Sequence, residues 1–180
     1  MFESTIEYWP HPACLADEAL LAQCDLTPGR TGGPGGQHRN KVSSAVFLTH
    51  EPSGLKAHAD ERRSAIDNKR VALRRMRLLL AIHVRVTVPA GPVGSALWRS
   101  RCPPSGGGRI AVNPDHHDYP ALLAEALDVL AAAGWDPAKA AVRLGSTSSQ
   151  LVKLISHHRP AFEAVNVHRV ELGIRKLIAR

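Results

Sequence analysis

Twelve consecutive residues, Arg30-Thr31-Gly32-Gly33-Pro34-Gly35-Gly36-Gln37-His38-Arg39-Asn40-Lys41, gather the groups in this chain best suited to chemistry on a polyanion. Four glycines around one proline expose backbone N–H donors and admit unusual dihedrals, at an entropic cost that a passive core element seldom needs. Arg30, Arg39 and Lys41 add cations suited to holding RNA phosphate, and solubility is their alternative role. The run lacks the Gly-Lys-Ser or Gly-Lys-Thr ending of a nucleotide phosphate loop and the spacing of a dinucleotide fingerprint, so ATP and NAD fit poorly and no cofactor is implied. Ten histidines are present, but no nucleophile elbow and no oriented base, so a conventional serine hydrolase is also a poor match. His11 with Cys14 offers two ligand types at one spacing, which falls short of a metal site.

Elements on both sides must position this loop. Leu20 to Thr27 reads as a strand approaching it, with Pro28 opposing simple continuation. Ala45-Val46-Phe47-Leu48-Thr49 is a better strand, followed by a Glu51-Pro52-Ser53-Gly54 turn and an extended return over Leu55 to His58, which together predict a hairpin. Ser64-Ala65-Ile66-Asp67 has capping-box spacing and opens a helix to about His83. On that helix Ile66, Leu73, Met76 and Leu80 form an apolar stripe, and Arg63, Arg70, Arg74 and Arg77 a basic one. The first stripe suits packing on the sheet. The second is either an ordinary solvated face or an RNA-phosphate contact, and the basic loop upstream favours RNA.

The chain of 180 residues is long enough for one domain with a small appendage, and its 44% hydrophobic content supports a core. A formal charge of +7, with a pI of about 9.8, points to nucleic acid or another polyanion. That charge is local. Residues 1–29 hold five acidic side chains and no Lys or Arg, whereas residues 30–85 hold twelve Lys and Arg against Glu51, Asp60, Glu61 and Asp67. No run of 18 apolar residues occurs and the first residues lack a signal-peptide pattern, so a soluble, cytoplasmic protein without membrane contact is expected. Cys14, Cys24 and Cys102 are odd in number and widely spaced, which suggests neither a disulfide framework nor a zinc site.

Gly35-Gly36-Gln37, followed by His38-Arg39-Asn40-Lys41 and Ser44-Ala45-Val46, resembles the catalytic domain of bacterial class I peptide chain release factors and related ribosome-rescue hydrolases. The resemblance continues through Thr49-His50, Pro52-Ser53-Gly54 and Glu61-Arg62-Arg63-Ser64 to Asn68, and covers roughly Asp25 to His83. Arg39 stands where that family often has Val, and Ala65-Ile66 where it often has Gln-His. The resemblance implies ribosome-dependent hydrolysis of the peptidyl-tRNA ester, with the ribosome, its 23S ribosomal RNA and peptidyl-tRNA as partners. Gly35 and Gly36 would permit close approach to the peptidyl-transferase centre. The backbone N–H of Gln37 would stabilise developing negative charge or the leaving ribose oxygen, and its side-chain amide would shape the water site without serving as a base. Arg30, His38, Arg39 and Lys41, with Arg63, Arg70, Arg74 and Arg77, are the candidate RNA contacts; Asn40, Ser64 and Asn68 suit structural support of loop and helix termini.

Beyond a Pro- and Gly-rich stretch the composition becomes helical. Tyr119 to Ala133 is Leu- and Ala-rich, Asp136-Pro137 is a good helix start, and Ala140 to Ile155 resembles a helix-turn-helix with Gly145 in the turn and Leu151 and Leu154 inward. A compact bundle is the plain reading; contact through Ser148, Ser149, Gln150 and Lys153 with nucleic acid, or docking on protein or ribosome, are the others. Phe162 to Ile178 suits a closing helix interrupted near Gly173. The expected fold class is α+β: a release-factor-like catalytic domain over 1–88 with a small antiparallel sheet and packed long helix, a connection over 89–111, and a helical accessory domain over 112–180. No codon-recognition tripeptide is evident, so codon-independent rescue of stalled ribosomes is expected rather than stop-codon reading. The alternatives are a noncatalytic ribosome- or RNA-binding regulator and, third, a DNA-binding protein.

Overall fold

A computed structural model describes residues 11–29 and 44–179, together with the backbone of residues 4–6. The fold is α+β, with a three-stranded antiparallel sheet and a packed long helix followed by an all-helical C-terminal part. Two compact units divide the chain: Pro12–Leu80, and Met1–His11 with Ala81–Arg180.

In the unit 12–80, a 3-10 turn at Pro12–Cys14 and helix α1, Asp17–Leu21, precede strands β2, Cys24–Gly29, β3, Ala45–His50, and β4, Lys56–Ala59; strand β1 belongs to the other unit. The sheet order is β2-β3-β4, with register from Cys24↔His50 to Gly29↔Ala45 and from Val46↔Ala59 to Thr49↔Lys56. Alternation along β3 and β4 turns Val46, Leu48, Ala57 and Ala59 inward and Phe47 and His58 outward. Helix α2, Ala65–His83, buries Ala72, Leu73, Met76 and Leu80, while Ser64 Oγ accepts the Asp67 N–H at 3.4 Å in its first turn. Each fully buried Leu or Met contributes about 1.5–3 kcal/mol of apolar transfer.

Three local expectations are corrected here. Leu20 lies in α1 with its side chain buried, not in a strand, and the strand begins only at Cys24. That strand runs on through Pro28 to Gly29, because β2 is an edge strand and an edge tolerates a residue that cannot donate to a ladder. Ile66 is 67% exposed, so the apolar stripe of α2 starts at Leu73, about two turns later than the heptad-like spacing implies.

The β3–β4 turn is held by a side-chain network. The Leu55 carbonyl accepts from His50 N at 2.8 Å, the His50 carbonyl accepts from Gly54 N at 2.7 Å, and Gly54 takes φ +68°, the left-handed region that favours glycine. His50 is buried between Ser53 Oγ, 2.7 Å from Nδ1, and Gln23 Oε1, 3.1 Å from Nε2. Gln23 Oε1 can only accept, so Nε2 donates, and in the neutral imidazole Nδ1 then accepts from the Ser53 hydroxyl, whose Oγ also accepts from Leu55 N.

The second unit pairs β1, Ser4–Ile6, in parallel with β5, Val84–Val86. Helices follow at Ala96–Arg101 (α3), Tyr119–Ala132 (α4), Pro137–Arg143 (α5), Ser148–Ser156 (α6) and Arg159–Glu171 (α7), with a 3-10 turn at Pro104–Gly106. Every residue of α4 from Tyr119 to Leu130 is buried, so it is the central helix, apolar on all sides apart from two acids. Asp128 pairs with Arg85 at 2.8 Å, and Glu125 accepts from Ser95 N at 2.6 Å and Ser95 Oγ at 2.7 Å. Burial lifts the Asp128 carboxyl to about 7 against the pull of Arg85, and likewise raises that of Glu125.

Through these contacts residues 81–88 pack with the helical unit. The expected connection 89–111 contains α3, whose Trp98 is buried and donates Nε1–H to the Leu144 carbonyl at 2.8 Å. The helix-turn-helix is present over α5 and α6: Asp136 caps α5, Gly145 turns at φ +62°, Thr147 caps α6, and Leu151 and Leu154 are buried. Helix α7 ends at Glu171, ahead of Gly173 at φ +71°. No helix among the described residues is long and apolar enough to cross a membrane.

Burial holds the His50 pKa below its ordinary 6.5. A depressed folded-state value lends stability above the unfolded pKa of about 6.5 and withdraws it as pH falls through the folded value. In an NMR titration of the imidazole nitrogens, His50 is therefore expected to stay neutral at pH 6.5 and reach half-protonation only below it; a half-point at or above 6.5 contradicts the burial argument.

Candidate functional site

Gly29 and Ala45 are paired directly across β2 and β3. The segment 30–44 thus leaves and rejoins the sheet at neighbouring points, with Cα atoms at a pairing distance of about 4.5–5.5 Å. The expected catalytic residues Gly35, Gly36 and Gln37 lie outside the described residues, as do Arg30, His38, Arg39, Asn40 and Lys41. The structure describes the frame that holds both ends of their segment.

Asn68 is the main polar tie in that frame. It sits in the first turn of α2, fully buried, and its Nδ2 donates to the Ser44 carbonyl at 2.6 Å and to the Arg62 carbonyl at 2.9 Å, while Oδ1 accepts from Arg62 N at 2.9 Å. Both amide hydrogens and the amide oxygen are used, which also fixes the orientation of the group. One side chain thereby joins the returning end of the segment, the connection between β4 and α2, and the helix start. Ser64 contributes the adjoining cap.

The arginine stripe divides. Arg63 and Arg70 are exposed, Arg70 in a loose 3.6 Å pair with Asp67, and Arg74 is half-buried. Arg77 departs from the expected open stripe: its guanidinium donates to the Ala13 carbonyl and to Asp17, both at 2.7 Å, and fastens the 3-10 turn and α1 to the helix. Sequence spacing did not single out Arg75, which donates to the His58 carbonyl and to Glu61, both at 2.7 Å. Glu61 is held below the usual carboxylate range first by its own backbone N–H, then by that of Asp60 and by Arg75. No spacing rule pairs Arg75 with a residue fourteen positions earlier; only the hairpin brings them together.

On the helical unit, Ser148 and Ser149 at the start of α6 and Lys153 in its last turn are exposed and line a shallow cavity of about 260 Å³ with Pro137, Val152, Leu177 and Ile178. Gln150 turns away from this cavity's lining, with Oε1 accepting from Ile110 N at 3.3 Å. His11 is buried with Nε2 donating to the Val84 carbonyl at 3.1 Å. Among the described residues, His116, His117 and Asp118 bring three metal-ligating atoms within 4.8 Å of one another, but Arg101 already occupies the Asp118 carboxylate at 2.5 Å.

Comparison with known proteins bears on this frame directly. Residues 22–87 match the family model described as the RF-1 domain. Peptide chain release factor 1 of Symbiobacterium thermophilum is 46% identical over 52 residues, 29% of this chain and 15% of that protein. The mitochondrial peptide chain release factor 1 of Bos taurus is 49% identical over 71 residues (39% of this chain, 16% of that protein), and peptide chain release factor 2 of Treponema pallidum is 45% identical over 56 (31% and 15%). The chain therefore covers less than a fifth of the length of each of these relatives, and the RF-1 match takes in the three-stranded sheet, the segment it holds, α2 and β5. Through residues 22–87 the chain is a family-level match to the RF-1 domain of class I peptide chain release factors.

Proposed function

We propose that this protein is a ribosome-dependent peptidyl-tRNA hydrolase that frees nascent peptide from stalled ribosomes without reading a codon. The carrying observation is that Gly35-Gly36-Gln37 stands inside the RF-1 match, on a segment whose two ends are clamped by strand pairing and by Asn68. Glycines at 35 and 36 let the backbone approach the ester closely. The Gln37 backbone N–H donates to the oxygen on which negative charge develops, a preorganised donor in a site walled by RNA. The Gln37 amide side chain orders the attacking water and excludes larger nucleophiles. A neutral amide does not take the proton, so ordered water and RNA carry it away.

Arg30, His38, Arg39 and Lys41 hold ribosomal RNA around the segment, with Arg63, Arg70 and Arg74 continuing the contact along α2. Arg77 serves the fold instead. Ser148, Ser149 and Lys153 are the contact points of the helical unit. Codon independence and a cytoplasmic site of action are part of this proposal, the first resting on the lack of an evident codon-recognition tripeptide in these 180 residues.

Purified ribosomes carrying labelled peptidyl-tRNA provide the test, with an empty A site, a sense codon or a stop codon. Release is expected under all three, strongest with the empty site. Gly36→Ala, which displaces the backbone donor, is expected to slow release by about a hundredfold, and Gln37→Ala by a smaller factor because the donor stays; both retain ribosome binding. Binding without release in any complex would show a noncatalytic regulator, and duplex DNA binding that survives Gln37→Ala would show a DNA-binding protein. Asn68→Ala strips partners from Ser44 O, Arg62 N and Arg62 O, and is expected to cost about 1–3 kcal/mol in urea unfolding. An unchanged midpoint would remove Asn68 from the clamp.

A further inference from the structure

The outward face of the sheet carries an aromatic group where strand alternation calls for a polar one. Phe47, in the middle strand, is 39% exposed and stacks on its cross-strand partner His58, with ring centroids 5.7 Å apart and planes inclined by 18°. On its other flank the ring lies against Gly29: a Cβ built there would stand 2.3 Å from Phe47 Cε2 and 2.9 Å from Cδ2. Gly29 has ordinary strand geometry and only this close approach demands a glycine. The ring is thus seated at the root of the segment 30–44, and β4 behind it is braced by Arg75 through the His58 carbonyl.

We propose that Phe47 and His58 form a stacking platform for an unpaired RNA base. β4 is an edge strand and His58 is exposed, so an unpaired base of any kind can continue the Phe47–His58 stack on the imidazole face turned away from Phe47, with the imidazole adding a polar edge. Charge selects RNA over a protein partner: residues 44–80 hold eight Lys and Arg against four Asp and Glu. Lys56 flanks His58 on the same face of β4, and Lys56, Arg62, Arg63 and Lys69 have no ion-pair partner among the described residues. An apolar peptide would gain little from Lys56 beside the stack and from the net positive charge of this unit, whereas the phosphates on either side of a stacked base would gain from both. The platform rests on the ribosome-dependent reading above and adds to it a base contact at the root of the active segment.

The experiment uses the full chain and ribosomes carrying peptidyl-tRNA with an empty A site. Phe47→Leu keeps an apolar, ordered strand residue without a π-face, and is expected to raise the ribosome concentration for half-maximal release about five- to hundredfold. The rate at saturation should hold, and Phe47→Tyr should restore the wild-type value. His58→Ala, on an exposed strand, is a second variant that spares the central strand, and is expected to weaken binding in the same sense. Phe47 replaced by p-benzoylphenylalanine is expected to crosslink to a large-subunit RNA nucleotide. Crosslinks only to ribosomal protein, or unchanged half-saturation in both Phe47→Leu and His58→Ala, overturn the platform while wild-type release leaves the hydrolase reading standing. An RNA crosslink from a protein that binds but never releases peptide does the reverse.

Discussion

The proposed catalytic segment needs both of its ends fixed, and one strand pair does most of that work. Gly29 and Ala45 face each other at the end of the β2–β3 ladder, so closure of the fifteen residues 30–44 is enforced by the sheet. Closing a flexible segment of that length costs about 2–3 kcal/mol in chain entropy. Strand pairing and the buried hydrogen bonds of Asn68 offset that cost with contacts that lie outside the segment itself. The segment's own composition can then be given over to glycines and cations, which do little for stability.

The parts of this frame that were legible in the sequence are those governed by neighbours in the chain. The hairpin announces itself through Pro52-Ser53-Gly54 between two extended runs, and the helix start through Ser64, since turn dihedrals and caps are local matters. The helix-turn-helix was legible for the same reason, from Asp136-Pro137 and Gly145. Illegible features depend on partners distant in sequence. Whether Pro28 ends a strand depends on its being an edge, and whether Ile66 is core depends on how far the sheet extends beneath α2. The placement of residues 81–88 turns on a parallel pairing between Ser4–Ile6 and Val84–Val86 and on Arg85 finding Asp128. Of the candidate site, the resemblance marked Gly35, Gly36 and Gln37 and the supporting Asn68, but no periodicity marked Phe47, which stands out only when its register partner His58 and the crowded Gly29 are known.

Net charge gives an incomplete account of what this protein offers to a polyanion. Arg77 and Arg75 hold carboxylates and carbonyls in the unit 12–80, and Arg85 and Arg101 do so in the helical unit. Those guanidiniums are committed to the fold. Arg70 differs: a pair at 3.6 Å with both partners well exposed is worth at most about 1 kcal/mol, which a phosphate can outcompete. The cations left for RNA are therefore fewer than the Lys and Arg total suggests but more concentrated, along the first turns of α2 and beside the outer face of β4.

Such a distribution solves a problem that cations alone create. Phosphate contacts give affinity but no register, because the RNA backbone presents the same charge at each step. On the proposed function Gln37 is delivered to one bond, which calls for a feature that is satisfied in only one docked position. Backbone donors on a glycine segment are too short in reach to search for that position, and long arginines are too adaptable to define it. A rigid aromatic group in the middle of a sheet is neither: Phe47 is held by His58 on one flank and Gly29 on the other, and its distance from the end of β2 is set by the ladder itself. A base stacked there would therefore lock the register of the sheet, and with it the two paired ends from which the segment 30–44 departs.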